Sequence, residues 1–226
     1  MTTDLLVMTL NEIAGFKKIM PEIKKEWVDN IVIVDGGSTD GTVEQAKKMG
    51  FKVIKQEIQG YGGAIISGVN ETSNENIVIF SPDGNHYPDE IRQLVEKIND
   101  GYDQIIMSRF EKNSENLDAG LIDAFGNRMF AFLVNVFFGG HMTDPLTGSR
   151  IIKRTAMNDV KMDSFNMDCT TEMSIRGLKC GQKICEIIGN ERTRIGGERK
   201  MSPIPVGVGL SKQILREFIF WKNFKK

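Results

Sequence analysis

Five short apolar runs punctuate the first half of the chain, each pair separated by room for one helix. They are "DLLVMTL", "NIVIV", "FKVIKQ", "NIVIF" and "DQIIMSRF". Polar or glycine-containing turns bound them, so they read as buried strands. The segments between them have helical spacing instead. Ile13, Phe16, Ile19, Ile23 and Trp27 recur that way in the first, with Pro21 kinking or restarting the helix. "TVEQAKKMG" is a helix closed by Gly50. In "PDEIRQLVEKIND", Pro88 suits the first helical position and Asp89 and Glu90 suit its positive end. Ile91, Leu94, Val95 and Ile98 form its buried stripe. Strand and helix alternating in this way predict an α/β fold: a mostly parallel central sheet flanked by helices, joined by right-handed crossovers. Ligands of such sheets bind beyond the carboxyl ends of the strands. The loops of interest are therefore 11–12, 35–41, 81–85 and 108–110.

The second half is less regular. Residues 111–128 are polar and read as a long loop or helix entry, and an apolar helix over 129–138 follows. "GGHMTDPLTGSR" is a turn, "RIIK" a strand, "DCTTEMSIRGLKCG" a helix and "QKICEII" a strand. "ERTRIGGERKMS" is a basic, glycine-containing loop. The tail carries Phe218, Phe220, Trp221 and Phe224 among lysines and arginines on a cationic helix. No internal repeat or low-complexity linker appears, which predicts one domain over 1–201 and a C-terminal amphipathic helix over 202–226.

Composition narrows the class. With 226 residues, 40% hydrophobic and 26% charged, the chain suits an ordinary folded domain. A net charge of -1 argues against bulk nucleic-acid binding. Cys169, Cys180 and Cys185 are odd in number and form no Cys-x-x-Cys, as expected of reduced thiols in a cytosol. The N-terminal "MTTDLLVMTLNE" lacks the basic and long apolar regions of a secretory signal. Met129 to Phe138 is too short to span a bilayer. The expectation is a cytoplasmic protein, at most peripheral on a membrane.

Several loops carry chemistry. In "VDGGSTDGT" an Asp ends a buried strand and two glycines allow close approach of a ligand. The same residues also make an ordinary strand, turn and helix cap. Neither Gly-x-Gly-x-x-Gly nor a Walker A pattern is present, which disfavours NAD enzymes and P-loop ATPases. Gly60, Gly62 and Gly63 open a helix, where they serve phosphate approach or close helix–sheet packing. "SPDGNHYPDE" places Ser81, Asp83 and Asn85 two apart. On an extended segment they share one side, an oxygen set suited to Mg²⁺ or Mn²⁺ carrying a diphosphate. The competing reading is an Asx-turn. Arg192, Arg194, Arg199 and Lys200 surround glycines in the basic loop, as in a lid over phosphates or a solvated loop. The aromatic and cationic tail suits a membrane interface, or docking on the core or on a second subunit of a homodimer.

In order, these segments resemble family 2 glycosyltransferases of the GT-A fold, and within them the short polyprenyl-phosphate branch, similar to dolichyl-phosphate mannose synthases. The resemblance rests on "VMTLNE", "VDGGSTDGT", "GYGGA", "SPDGNHYPDEI", "MSRF", "TDPLTGSRIIKR" and "ERTRIGGERKM", and covers about residues 4–201. It implies a UDP-sugar or GDP-sugar donor bordered by Thr9, Asn11, Glu12, Asp35, Gly37, Ser38, Gly62 and Pro82, with Arg194 and Lys200 over the diphosphate. The family's metal positions fall on Ser81, Asp83 and Asn85, so a hydroxyl stands where the family has its first Asp. In the segment "TDPLTGSR", Thr147 and Ser149 stand for Ser and Phe.

The implied reaction is sugar transfer with inversion, Asp83, Arg194 and Lys200 supplying or holding charge for the departing diphosphate. A polyprenyl phosphate acceptor is already an anion and needs no base. A hydroxyl acceptor needs a carboxylate, for which Asp144, Asp168 and Glu172 are the candidates. A protein that binds sugar nucleotides without turnover is the reading from another class.

Overall fold

The structure is a computed structural model that describes residues 1–118, 120–196 and 202–220. Its centre is a seven-stranded sheet in the order β3-β2-β1-β4-β6-β5-β7. The strands are β1 (Thr3–Thr9), β2 (Asn30–Asp35), β3 (Lys52–Lys55), β4 (Asn76–Phe80), β5 (Gln104–Ser108), β6 (Arg150–Lys153) and β7 (Ile184–Ile188). All run parallel except β6, which is antiparallel to both β4 and β5. Central strands are buried on both faces, which is why they read as unbroken apolar runs.

Side-chain alternation divides the core in two. Leu5, Val7, Val78, Phe80, Ile105 and Met107 point to one face. There they meet Phe16 and Ile19 of α1 (Ile13–Ile19) and Ile91, Leu94 and Ile98 of α4 (Asp89–Ile98). The predicted long first helix is broken at Pro21 into α1 and two 3₁₀ turns, Met20–Glu22 and Lys25–Trp27. On this flank also lies α2 (Thr42–Lys48). Leu6, Met8, Val32, Ile77, Ile79 and Ile152 point to the other face. They pack on α3 (Tyr61–Asn70), α6 (Arg154–Val160) and α7 (Cys169–Lys179). Helix α6 has no counterpart in the sequence reading.

A third cluster joins α5 (Leu121–Phe138), α7 and α8 (Pro203–Ile219), through Phe130, Val134, Phe138, Ile175, Leu210 and Ile214. Helix α5 begins eight residues before the apolar stretch the sequence marked, because its first turns are apolar only on the outer side. Its 18 residues are long and apolar enough, by length and composition, to cross a membrane. Yet its inner face belongs to the fold.

Helix α8 is fastened by buried charge. The Glu217 carboxylate accepts from Arg176 Nε at 2.8 Å and from Lys179 Nζ at 2.7 Å, with all three side chains about 1% exposed. Arg176 also pairs with Glu172 at 2.9 Å. Removing one member strands charges that water cannot reach. Glu217→Ala should therefore cost about 3–5 kcal/mol in urea denaturation, while Glu71→Ala, which breaks the exposed Lys52–Glu71 pair, should cost under about 1 kcal/mol.

Candidate active site

The parallel strands deliver their loops to one rim. β1 ends at Thr9, β2 at Asp35, β4 at Phe80, β5 at Ser108 and β7 at Ile188. β6 runs the other way, so it is its start, with Thr147 to Ser149 just before it, that reaches this rim. A cavity of about 560 Å³ opens there. Thr9, Glu12, Ser81, Asp83, Asn85 and Arg194 line its polar end. Arg109, Thr147 and Ser149 lie along it, and Phe130 of α5 and Leu210 of α8 contribute apolar wall.

The Ser81–Asn85 loop is a turn, not an extended segment. Asn85 N donates to Asp83 Oδ1 at 3.0 Å, an Asx-turn, and Gly84 takes φ +89°. This corrects the same-side argument from alternation, yet Ser81, Asp83 and Asn85 all still face the cavity. The turn and the candidate site are one object. It is seated on α1, where Gly15 meets it so closely that a Cβ there would lie 2.3 Å from the Pro82 carbonyl oxygen.

A second loop is laced onto the first. Arg192 N donates to the Asn85 carbonyl at 2.9 Å, Ile195 N to the Asp83 carbonyl at 2.8 Å, and Arg192 Nε to the Gly84 carbonyl at 2.9 Å. Asn85 Nδ2 returns a bond to the Arg192 carbonyl at 3.1 Å. This fixes Arg194, whose Nη2 lies 3.0 Å from Asp83 Oδ2 and whose Nη1 lies 3.5 Å from Glu12 Oε1.

The loop suits a divalent metal only in company. No cluster of three His, Cys, Asp or Glu side chains able to hold a metal occurs among the described residues. Asn85 Oδ1 is nevertheless buried without a protein partner, beside the single carboxylate of Asp83 and the Ser81 hydroxyl. One carboxylate, one amide oxygen and one hydroxyl fit Mg²⁺ or Mn²⁺ whose remaining ligands are phosphate oxygens and water.

Arg109 follows β5. Its guanidinium grips Asp144 through two bonds, Nε to Oδ2 at 2.7 Å and Nη2 to Oδ1 at 3.1 Å, with Glu191 at 3.4 Å from Nη1. Burial opposes its charge, but Asp144 and Glu191 outweigh that and raise its pKa above the ordinary arginine value. The guanidinium is thus fixed on the cavity wall by two carboxylates.

The family model for glycosyl transferase family 2 matches residues 6–161. A dolichyl-phosphate hexose transferase of Haloferax volcanii is 31% identical over 92% of this chain and 90% of its own length. The chain belongs to glycosyltransferase family 2. A UDP-N-acetylglucosamine–dolichyl-phosphate N-acetylglucosaminyltransferase of Methanococcus voltae is 28% identical over 68% of this chain and 70% of its own. Among solved structures, glucosyl-3-phosphoglycerate synthase of Mycobacterium tuberculosis, in complex with Mn²⁺, UDP-glucose and phosphoglyceric acid, superposes with a TM-score of 0.76 at 19% identity. It covers 96% of this chain and 79% of that one. The transferase thus has the GT-A fold expected from its sequence.

Of the predicted residues, the rim brings together Thr9, Glu12, Ser81, Asp83, Asn85 and Arg194 in the transferase's cavity. Others make bonds or close contacts within the scaffold. Asp35 accepts from Gly37 N, Ser38 N, Ser38 Oγ and Thr9 Oγ1, so its carboxylate shapes its own loop and is not on the cavity wall. Asn11, at φ +53°, bonds Ser38 Oγ and Thr39 N, tying the first loop to the second. Gly62 packs closely against the Ser164 carbonyl, where a Cβ would sit at 2.2 Å. Pro82 backs the loop without lining the cavity. Lys200 lies outside the described residues, as do Arg199 and Trp221.

None of the three candidate bases, Asp144, Asp168 and Glu172, lies on the cavity wall. Asp144 is fully buried and spent on Arg109. Burial pushes the Glu172 carboxyl up to about 8, a value that would suit a base, but it sits between α7 and α8 and not in the cavity. Asp168 precedes α7 and is likewise off the wall. Arg109 lines the cavity but was not singled out in the sequence, although its loop, 108–110, was. A lone Arg after a strand carries no local signal of its Asp144 brace.

Gly15→Ala should overpack the junction of α1 and the Pro82 carbonyl. We expect a loss of about 1–3 kcal/mol in urea denaturation, together with weaker Mn²⁺-dependent nucleotide binding by calorimetry.

Proposed function

We propose that the transferase moves a hexose from a nucleoside diphosphate sugar to a polyprenyl-type lipid phosphate at a membrane surface, with inversion at the anomeric carbon. The observation that carries this reading is a cavity whose lining joins polar residues at the strand ends to Phe130 of α5 and Val206 and Leu210 of α8, with Asp123 and Asn127 of α5 beside them. The outer sides of the same two helices expose Leu121, Ile122, Phe125, Phe132, Leu215 and Phe218. Such a surface suits contact with acyl chains beside the mouth of the site. The names of the Haloferax volcanii and Methanococcus voltae relatives, both dolichyl-phosphate transferases, favour the same acceptor.

In this reading the diphosphate lies at Asp83 and Asn85 and the lipid phosphate at Arg109. A phosphate oxygen of the acceptor attacks C1 of the sugar. The C1–O bond to the diphosphate breaks, and its electron pair leaves with the diphosphate. Arg194, held by Asp83 and Glu12, adds positive charge at the leaving-group end. Mg²⁺ or Mn²⁺ bound at Ser81, Asp83 and Asn85 would neutralise further charge there, as Mn²⁺ bound with UDP-glucose in the mycobacterial structure supports. Arg109 orients the acceptor, braced by Asp144 against swinging away. The acceptor is an anion near neutral pH, so the scheme needs no general base, in keeping with Asp144 and Glu172 being off the wall.

The test supplies UDP-glucose, UDP-N-acetylglucosamine or GDP-mannose with Mn²⁺ and a short polyprenyl phosphate. We expect a sugar-linked lipid phosphate from at least one donor, and Asp83→Ala should lower turnover by about 10²–10³-fold or more. Arg109→Ala should raise KM for the lipid phosphate while nucleotide affinity holds. Transfer only to hydroxyl acceptors would refute the lipid phosphate reading, and binding without any turnover would make this a nucleotide-binding protein.

A further inference from the structure

We infer that the turn Thr147–Gly148–Ser149 seats the transferred sugar, and that the Ser149 hydroxyl selects that sugar by hydrogen bonding one of its hydroxyl groups. The inference deepens the proposed function and rests on it. Its first support is an orphan. Ser149 lines the cavity, is 4% exposed, and its Oγ is buried with no hydrogen-bond partner. Buried hydroxyls are ordinarily satisfied, and this unsatisfied one belongs to a residue on the cavity lining. A hydroxyl both donates and accepts, as a sugar hydroxyl does.

The backbone holds this group rigidly. Ser149 N donates to Thr147 Oγ1 at 3.3 Å, and its carbonyl accepts from Met107 N at 3.0 Å. Behind it stands Arg150, fully buried, with no ion-pair partner among the described residues. Arg150 Nη2 donates to the Thr147 carbonyl at 2.6 Å and Nη1 to Ser174 Oγ at 3.2 Å. The guanidinium thus pins the turn from inside. Tyr61 closes it from the cavity side, since a Cβ on Gly148 would lie 2.4 Å from the Tyr61 hydroxyl oxygen.

Topology then fixes what the turn can meet. β6 lies between β4 and β5, with Arg150 registered against Ile79 on one side and Ile106 on the other. Ser149 therefore lies between the loop after β4, which holds Asp83, and the loop after β5, which holds Arg109. A sugar in transit must lie between the departing diphosphate and the incoming nucleophile. The Ser149 hydroxyl is a fixed polar group at that place.

Wild type, Ser149→Ala and Ser149→Thr are compared with UDP-glucose, UDP-N-acetylglucosamine and GDP-mannose, then with the monodeoxy forms of the donor that wild type uses. Circular dichroism checks folding. Ser149→Ala should lower kcat/KM for the parent donor by about 10–100-fold, with the affinity for UDP or GDP alone changed less than about twofold. One monodeoxy donor should be used equally by wild type and Ser149→Ala, and Ser149→Thr should recover part of the loss. Undiminished activity in Ser149→Ala, or an equal loss with the parent and every monodeoxy donor, would overturn the inference. Silence of wild type with all three donors would remove the proposed function, and this inference with it.

Discussion

Four hydrogen bonds between the 83–85 turn and the 192–195 segment hold the site together. The two segments are more than a hundred residues apart, and each is irregular. Neither would keep its shape alone, because a turn around a left-handed Gly84 has few internal bonds of its own. Paired, they present Asp83, Asn85 and Arg194 to one cavity. The contact also explains Gly84: a Cβ there would lie 2.5 Å from the Ile195 side chain. Arg192 adds a stacking contact, 4.4 Å from the Tyr87 ring centroid.

The sheet makes the pairing inevitable. β4, β5 and β7 are parallel, so the loops that follow them meet at one rim. The reversed β6 between β4 and β5 contributes its leading turn to that rim. The catalytic frame thus draws on strands from both halves of the chain. Polar residues at the strand ends and Phe130, Val206 and Leu210 of α5 and α8 share one cavity.

Much of this was legible in the chain. Buried strands appear as continuous apolar runs because both faces of the sheet are covered, and the order of short motifs identified the family. Ser81, Asp83 and Asn85 were found for a geometric reason that the turn does not obey. Turn formation and cavity orientation are not rival readings here, since the Asp83 oxygen that bonds Asn85 N belongs to a carboxylate on the cavity wall. What stayed hidden depends on distant partners. Asp144 looked like a base until Arg109 claimed both its oxygens, and Glu172 until Arg176 and the Ser164 N–H did. The bonds by which Asp35 and Asn11 knit the first two loops together carry no local signal in the sequence. The start of α5 was obscured by polar residues such as Asp118 and Asp123, which surround its first turn.

A turn with one carboxylate should bind a divalent metal only together with the donor's diphosphate. Electron paramagnetic resonance of Mn²⁺ titrated with the protein tests it directly. The account predicts little bound Mn²⁺ with protein alone, and a bound signal when UDP or GDP is added that is lost in Asp83→Ala. Tight Mn²⁺ binding without nucleotide, or none with either nucleotide, would contradict it.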